Sequence, residues 1–129
     1  MKSTPFNEFL GTRLISREPG HCVVALDLEP HHANRRGVAH GGVVSSVLDS
    51  AMGGAVVSTM TEQEWCATMQ LSVTFVDGPR AGTTITATGR VVRRGRRVAF
   101  AEGTLADPEG RTLATAQGVW YIWPTPPAG

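Results

Sequence analysis

Apolar side chains recur with two different periods along the 129 residues of the chain. From Gly42 to about Met60 they return every three or four residues, which predicts one amphipathic helix with a broad apolar stripe. From Leu71 almost to the C-terminus they alternate with polar residues, which is the period of extended strands. Because turn-forming residues interrupt this alternation repeatedly, we predict four long strands in hairpin order, an antiparallel meander. The turns lie at 77–82, 94–95 and 107–110.

The N-terminal part of the chain carries shorter signals of the same kinds. Thr4 and Gly11 are placed to begin and end a short helix over residues 4–10. Residues 12–18 and 21–29 predict a pair of strands joined by a tight turn.

Together these patterns predict a single α+β domain over residues 1–129. The long helix contains Gly53 and Gly54 in its interior, where each glycine costs about 1 kcal/mol relative to alanine. A sequence tolerates that cost where a side chain would not fit, as when a sheet curls tightly around a helix. We therefore predict one central helix wrapped by a strongly curved, mainly antiparallel sheet.

Composition excludes several classes of protein. The 12 Lys+Arg and 11 Asp+Glu leave a net charge of +1, which argues against a protein that coats nucleic acid. No apolar run approaches the ~20 residues that a membrane span needs. The first residues show no apolar signal segment, and Cys22 and Cys66 are too few for a disulfide scaffold. We predict a cytoplasmic protein with two free thiols and with neither nucleic-acid nor membrane partners.

The first candidate for chemistry is the loop that enters the long helix. Gly41 and Gly42 stand at the mouth of this helix, where the first backbone N–H groups have no partner inside the helix. Those donors and the positive end of the helix dipole suit an oxyanion or a polarised carbonyl. Taken alone, the two glycines are equally explained as a tight loop-to-helix turn.

Asp49 is the second candidate, because it lies in mid-helix at the edge of the apolar stripe. A carboxylate there can act as a nucleophile or a general base; the alternative is a structural role, with neighbouring serines satisfying it. Gly41 lies eight residues earlier, about 12 Å away along a helix axis. Oxyanion donor and attacking group must both lie within about 3 Å of the reacting centre. If the site is real, two antiparallel copies of the helix must share it, and the active unit is at least a dimer.

The spacing Asn34-x-x-Gly37-x-x-His40-Gly41-Gly42-x6-Asp49 resembles that of the hotdog-fold acyl-CoA thioesterases. Within them it is most similar to the phenylacetate-pathway (PaaI) and 4-hydroxybenzoyl-CoA thioesterase type. The resemblance covers nearly the whole chain in the order of its elements. It implies a long central helix wrapped by a curved sheet of five to six strands.

The resemblance also implies roles for residues at the helix. Asp49 matches the catalytic carboxylate, which acts as nucleophile or as base for water. Gly41 matches the residue whose backbone N–H polarises the thioester carbonyl, and Gly42 lies beside it in the substrate-binding loop.

Three further polar residues match positions of the family site. Asn34 and His40 match residues that help to hold the thioester or the attacking water. Thr68 falls near a Ser/Thr that reaches the site from the opposite subunit.

An arginine cluster surrounds a predicted hairpin turn and has three interpretations. It is a solvated surface, an RNA-binding patch without the aromatic platform that RNA readers use, or a site for the phosphates of coenzyme A, which suit the paired donors of arginine. The resemblance favours coenzyme A. The predicted phosphate ligands are Arg93, Arg94, Arg96 and Arg97.

We therefore predict a homo-oligomeric acyl-CoA thioesterase, a homodimer or a homotetramer built as a dimer of dimers. No metal or redox cofactor is implied, because His31 and His32 read as surface histidines without a Cys or carboxylate at ligand spacing. Two alternatives stay open: a non-catalytic acyl-CoA sensor or binding protein, and a hotdog hydratase or dehydratase.

Overall fold

The computed structural model describes residues 3–126. Residues 1, 2 and 127–129, which the single-domain prediction includes, lie outside the described residues. The elements in chain order are α1 (Pro5–Leu10), β1 (Arg13–Glu18), β2 (His21–Asp27), a 3-10 turn (Pro30–His32), α2 (Gly41–Val57), β3 (Trp65–Phe75), β4 (Thr84–Arg94), β5 (Val98–Ala106) and β6 (Thr112–Trp123).

Local signals in the sequence set the ends of the helices. The Thr4 hydroxyl accepts the backbone N–H of Asn7 at 3.2 Å and caps α1. Gly11 ends α1 in the left-handed conformation, with φ of 92°. The long helix α2 begins at Gly41, one residue earlier than predicted, and ends three residues earlier, at Val57.

The strands form one antiparallel sheet in the order β1-β2-β4-β5-β6-β3. This confirms the predicted fold class, and β4, β5 and β6 are a meander as expected. The predicted four-strand meander is wrong, because β3 pairs with β6 and not with β4. The segment between β3 and β4 is not a hairpin. Its Pro79 carbonyl accepts the Ala39 N–H at 2.8 Å, so it crosses to the loop before α2 and delivers β4 to β2.

The helix α2 packs into the concave face of this sheet at very short range. Paired strands β4 and β5 present Gly89 and Gly103 to the helix. A Cβ added at Gly89 would overlap the Ala51 carbonyl and lie 2.6 Å from the Met52 nitrogen, and one at Gly103 would lie 2.9 Å from the Met52 side chain. Glycine is therefore required at Gly89, where the contact is helix backbone, and Gly103 leaves room for the Met52 side chain.

The two glycines inside α2 occupy positions where a side chain would not fit, as the sequence predicts. A Cβ at Gly54 would lie 2.7 Å from the Cys22 sulfur on β2, and one at Gly53 would lie 3.3 Å from the Trp120 indole nitrogen on β6. The sheet curls around the helix closely enough that side chains would not fit there.

Strand β3 lies at one edge of the sheet, with β6 on one side only. It is eleven residues long, and its register shifts between Thr68 and Gln70. A long edge strand presents unpaired backbone donors and acceptors, which is a template for pairing with another chain. Among the described residues, no helix is long and apolar enough to cross a membrane.

We expect Gly89→Ala to lower the free energy of unfolding by about 1–3 kcal/mol, because the added methyl meets helix backbone that cannot rotate away. Chemical denaturation measures the free energy of unfolding. The control is Thr104→Ala on the exposed face of β5, which should change it by less than about 0.5 kcal/mol. Equal stabilities for Gly89→Ala and the wild type would show that the helix does not depend on this contact.

Candidate active site

The N-terminus of α2 carries one open backbone donor. His40 is the N-cap residue, and its Nδ1 accepts the Gly42 N–H at 2.9 Å. The Gly42 N–H is therefore not open to a substrate oxygen, and the expectation that Gly42 lies in the substrate-binding loop stays a prediction. The Gly41 N–H has no hydrogen-bond partner within residues 3–126. Of the two predicted donors, Gly41 is the one that remains open.

His40 is exposed and has a defined tautomer when neutral. Because Nδ1 accepts a hydrogen bond, Nε2 carries the proton. Its backbone N–H donates to the His32 carbonyl at 2.9 Å, which fixes the loop at the helix entrance. The ring therefore offers an N–H donor beside Gly41.

Asn34 shapes the loop that leads to the helix. Its Oδ1 accepts the backbone N–H groups of Arg36 at 2.9 Å and Val38 at 3.3 Å. Within the described residues its side-chain NH2 makes no hydrogen bond, so this group is available to donate to a substrate or a water. The predicted contact itself stays a prediction.

Asp49 lies half-buried in the middle of α2 and is held by Thr68. The Thr68 hydroxyl donates to Oδ1 of Asp49 at 2.7 Å. The second oxygen, Oδ2, makes no hydrogen bond with the part of the chain that the structure describes. This contact joins Thr68 to Asp49 within one chain, and the expectation that Thr68 reaches the Gly41 half of a site from the opposite subunit stays a prediction. One carboxylate oxygen is thus fixed and the other is open.

The strand that supplies Thr68 also brings a thiol to Asp49. Cys66 lies two residues earlier on β3, so both side chains point to the helix side. Burial raises the pKa of the Cys66 thiol, and the negative charge of Asp49 adds to the rise. Cys66 therefore stays neutral and is a poor nucleophile. The sequence predicts only that Cys66 is a free thiol. Its spacing of two residues from Thr68 on one strand is the signal that places both side chains on one face.

Asp49 and Thr68 border a cavity of about 640 Å³ that lies between α2, α1 and residues of strands β1, β2, β3 and β6. The short helix α1 closes part of it. There the Ser50 hydroxyl donates to Oδ1 of Asn7 at 2.9 Å, one residue from Asp49. Nothing in the sequence pattern pairs Asn7 with Ser50.

Within one chain the two halves of the predicted site stay apart. Asp49 and Gly41 lie on one continuous helix, about 12 Å apart along its axis. Strand β3 runs past both: Thr68 contacts Asp49, and the Phe75 ring lies 3.4 Å from where a Gly41 Cβ would be. The two ends of β3 therefore mark the two halves of the site.

The arginine hairpin divides into one structural residue and three exposed or half-exposed ones. The Arg94 guanidinium donates to both oxygens of Glu64, at 2.9 and 3.0 Å, and to the Thr59 hydroxyl at 3.2 Å. Only 23% of its side chain is exposed. The prediction that Arg94 binds phosphate is wrong, because this guanidinium ties the segment after α2 to the hairpin. For Arg93, Arg96 and Arg97 the prediction stands untested.

His32 is a structural residue and not the predicted surface histidine. It is 4% exposed, accepts the Glu29 N–H at 3.0 Å through Nδ1 and donates from Nε2 to the Leu10 carbonyl at 2.8 Å. Its neighbour His31 is exposed, as predicted. Between residues 3 and 126, no group of three or more His, Cys, Asp or Glu is placed to hold a metal ion.

Comparison with known proteins places these residues in a wider group. The model of the thioesterase superfamily matches residues 36–114. A Saccharolobus solfataricus protein described as a candidate esterase, SSO2140, is 32% identical over 94% of this chain and 85% of its own length. The medium/long-chain acyl-CoA thioesterase YigI of Escherichia coli is 30% identical over 92% of this chain and 85% of its own. The solved structure of the E. coli PaaI protein has a TM-score of 0.89 at 23% identity, covering 95% of this chain and 86% of that one.

We expect Arg94→Met to lower the free energy of unfolding by about 1–3 kcal/mol, because Glu64 loses a paired, mostly buried cation. The Thr61 backbone N–H, and then Arg94, hold the pKa of Glu64 below its ordinary 4.5. A lowered carboxyl pKa stabilises the fold above pH 4.5, and this contribution is lost as the pH falls through the folded-state pKa. The difference between wild type and Arg94→Met should therefore shrink in acid.

Urea unfolding at neutral pH and below pH 4.5 measures this difference. The matched control is Arg93→Met, one residue away and exposed, which should leave stability nearly unchanged. A difference that stays constant across this pH range would contradict the assignment.

Proposed function

The chain belongs to the thioesterase superfamily, and we propose that it hydrolyses acyl-CoA thioesters to a free acid and CoA. The observation that carries the proposal is the Asp49 carboxylate, which Thr68 holds at 2.7 Å on the wall of a 640 Å³ cavity. The open N–H of Gly41 lies on the same helix. The 30% identical relative that is named an acyl-CoA thioesterase supports the choice of substrate.

The proposed site is shared by two chains. A thioester carbonyl carbon must lie within about 3 Å of both the attacking atom and the oxyanion donor. Asp49 and Gly41 of one chain are about 12 Å apart, so each site combines Asp49 of one chain with Gly41 of the partner subunit.

Strand β3 supplies a way to build such a dimer. Its edge is unpaired in the described chain, and two copies can join antiparallel to form one continuous sheet. With a two-fold axis near Leu71, Thr68 of one chain lies opposite Thr74 of the other. Because Phe75 packs beside Gly41, this arrangement carries the partner's Gly41 toward the Asp49–Thr68 pair.

The reaction follows from these positions. Oδ2 of Asp49 attacks the thioester carbon directly or removes a proton from an attacking water. The carbonyl oxygen gains negative charge, and the partner's Gly41 N–H at the positive end of α2 stabilises it. The carbon–sulfur bond then breaks and the sulfur leaves as the CoA thiolate. If Asp49 activates water, the proton that it removed passes to the thiolate and the water oxygen is in the released acid. If Asp49 attacks directly, it forms an acyl anhydride, and a water then hydrolyses this anhydride, which releases the acid, restores the carboxylate and supplies the proton of the thiol. The Thr68 hydroxyl keeps the carboxylate in one orientation throughout.

The remaining predicted residues have supporting places in this proposal. His40 offers its Nε2 proton, and Asn34 its NH2 group, on the Gly41 side of the site. Arg93, Arg96 and Arg97 would bind the CoA phosphates, without Arg94. The hairpin lies near the C-terminal end of α2, so in an antiparallel dimer the partner's hairpin lies toward the N-terminal end, where the nucleotide leaves the site.

We expect Asp49→Asn to lower kcat for acyl-CoA hydrolysis by about 10²–10⁴-fold while KM and stability change little, because the shape and the Thr68 contact remain. Release of free CoA thiol measures the rate. Glu62→Gln is the control, since this exposed carboxylate lies outside the cavity. Wild-type turnover in Asp49→Asn would overturn the role of the carboxylate.

The same assay separates the two alternative functions. A wild-type protein that binds acyl-CoA without releasing thiol would be the non-catalytic binding protein. One that releases no thiol but adds water to an enoyl-CoA would be the hydratase.

A further inference from the structure

The two faces of α2 are chemically different, and the one opposite the fully buried face borders the cavity while its glycines meet Cys22 and Trp120 of the sheet. The buried face carries Val44, Val47, Leu48, Ala51, Met52, Ala55 and Val56. The opposite face borders the cavity and changes along its length. Serines and Asp49 come first, Gly53 and Gly54 follow without side chains, and Val57 is the last. The cavity is thus polar beside the carboxylate and apolar toward the C-terminal end of the helix.

The apolar half of the cavity, called the trough below, runs past Gly53 and Gly54 where Trp120 and Cys22 pack close to them. The other walls carry mainly apolar groups from β1, β2 and α1, among them Leu14, Cys22 and Val24. Arg17 also borders the cavity, and the alkyl stem of an arginine packs against apolar chains. No carboxylate other than Asp49 lines the cavity among residues 3–126.

Val57 is the last residue of α2 that lines the trough. There the Ser58 hydroxyl accepts the Gly20 N–H at 2.8 Å, which fastens the β1–β2 turn to the end of α2. From Asp49 to Val57 the helix advances about 12 Å. A linear alkyl chain attached to a carbonyl at Asp49 would therefore run along the glycines and meet Val57.

We propose that this trough holds a linear, medium-length acyl chain and that Val57 sets the longest chain that it accepts. The inference rests on the proposed function, because it names the acyl group of the thioester placed at Asp49. Val57 is a specificity-determining residue in this account and takes no part in bond breaking.

Affinity for chains of increasing length tests the proposal without any hydrolysis. S-alkyl-CoA thioethers carry the same groups as acyl-CoA but have no carbonyl to attack, and isothermal titration calorimetry measures their binding. With wild-type protein we expect about a fourfold gain in affinity per methylene, the equivalent of about 0.8 kcal/mol, until the chain reaches Val57. Beyond that length the gain should stop.

Substitutions at Val57 should move this limit in both directions. Val57→Phe should reach its limit at a shorter chain and bind the longest thioethers about 15-fold more weakly, the loss of two methylene contacts. Val57→Ala should continue to gain affinity at chain lengths where the wild type no longer does. The matched control is Val92→Phe, the same substitution on an exposed strand position outside the cavity, which should reproduce the wild-type series.

The outcomes separate the inference from the function on which it rests. Affinity that does not depend on chain length in the wild type, or a limit unmoved in both folded Val57 variants, would overturn the inference even if the enzyme hydrolyses thioesters. A moved limit in a protein that releases no thiol from any acyl-CoA would uphold the trough and overturn the proposed hydrolysis. Thermal melts establish whether each variant is folded. If Val57→Phe does not fold, the chain-length series of Val57→Ala decides whether Val57 sets the limit.

Discussion

The close contact between α2 and the glycines of β4 and β5 is the constraint on which the rest of the structure depends. Gly89 and Gly103 are partners in adjacent strands, and together they let the backbone of Ala51 and the side chain of Met52 approach the sheet. With the helix held at that depth, Asp49 is brought level with Thr68 on the edge strand. A side chain at Gly89 would meet the helix backbone, push the helix outward and open the carboxylate–hydroxyl contact.

One rigid helix then carries two chemical features that it cannot bring together itself. Its N-terminus offers the Gly41 N–H, and its middle offers the Asp49 carboxylate, with about 12 Å of helix between them. Because an edge strand of the described chain passes both features, we propose that two copies pair along it. The cavity beside Asp49 lies along the same helix, between α2, α1 and residues of β1, β2, β3 and β6.

The sequence predicts those parts of the structure that depend on local chemistry. The caps of α1, the long helix, the two hairpin turns on either side of β5 and the wrapped sheet follow from residue types and periods. The resemblance to the hotdog-fold thioesterases of the PaaI type is confirmed by the superfamily match and the shared fold. The strand order is not local. Whether β3 pairs with β4 or with β6 depends on Pro79 and its contact with the loop before α2, which no period records.

The candidate site shows the same division. The positions of Gly41 and Asp49 on one helix follow from counting residues, so the sequence predicts their separation. Arg94 and Gly42 are less available to a ligand than the sequence suggests. The Arg94 guanidinium donates to Glu64, and the Gly42 N–H donates to the His40 ring. Sequence composition shows which groups can bind a ligand, but only the structure shows which groups are already occupied.

The shared site is tested most directly by mixing two inactive variants. Gly41→Pro removes the N–H while keeping the helix, because proline suits the first helical position and His40 before it already has extended backbone angles of −58° and 139°. Gly41→Ala, which keeps the N–H, is its control. In a mixed dimer of Gly41→Pro with Asp49→Ala, one site contains both defects and the other contains neither. After random exchange of subunits, the account predicts recovery to about a quarter of wild-type activity per chain. Mixed dimers that are isolated through two different affinity tags and remain as inactive as either parent would contradict it.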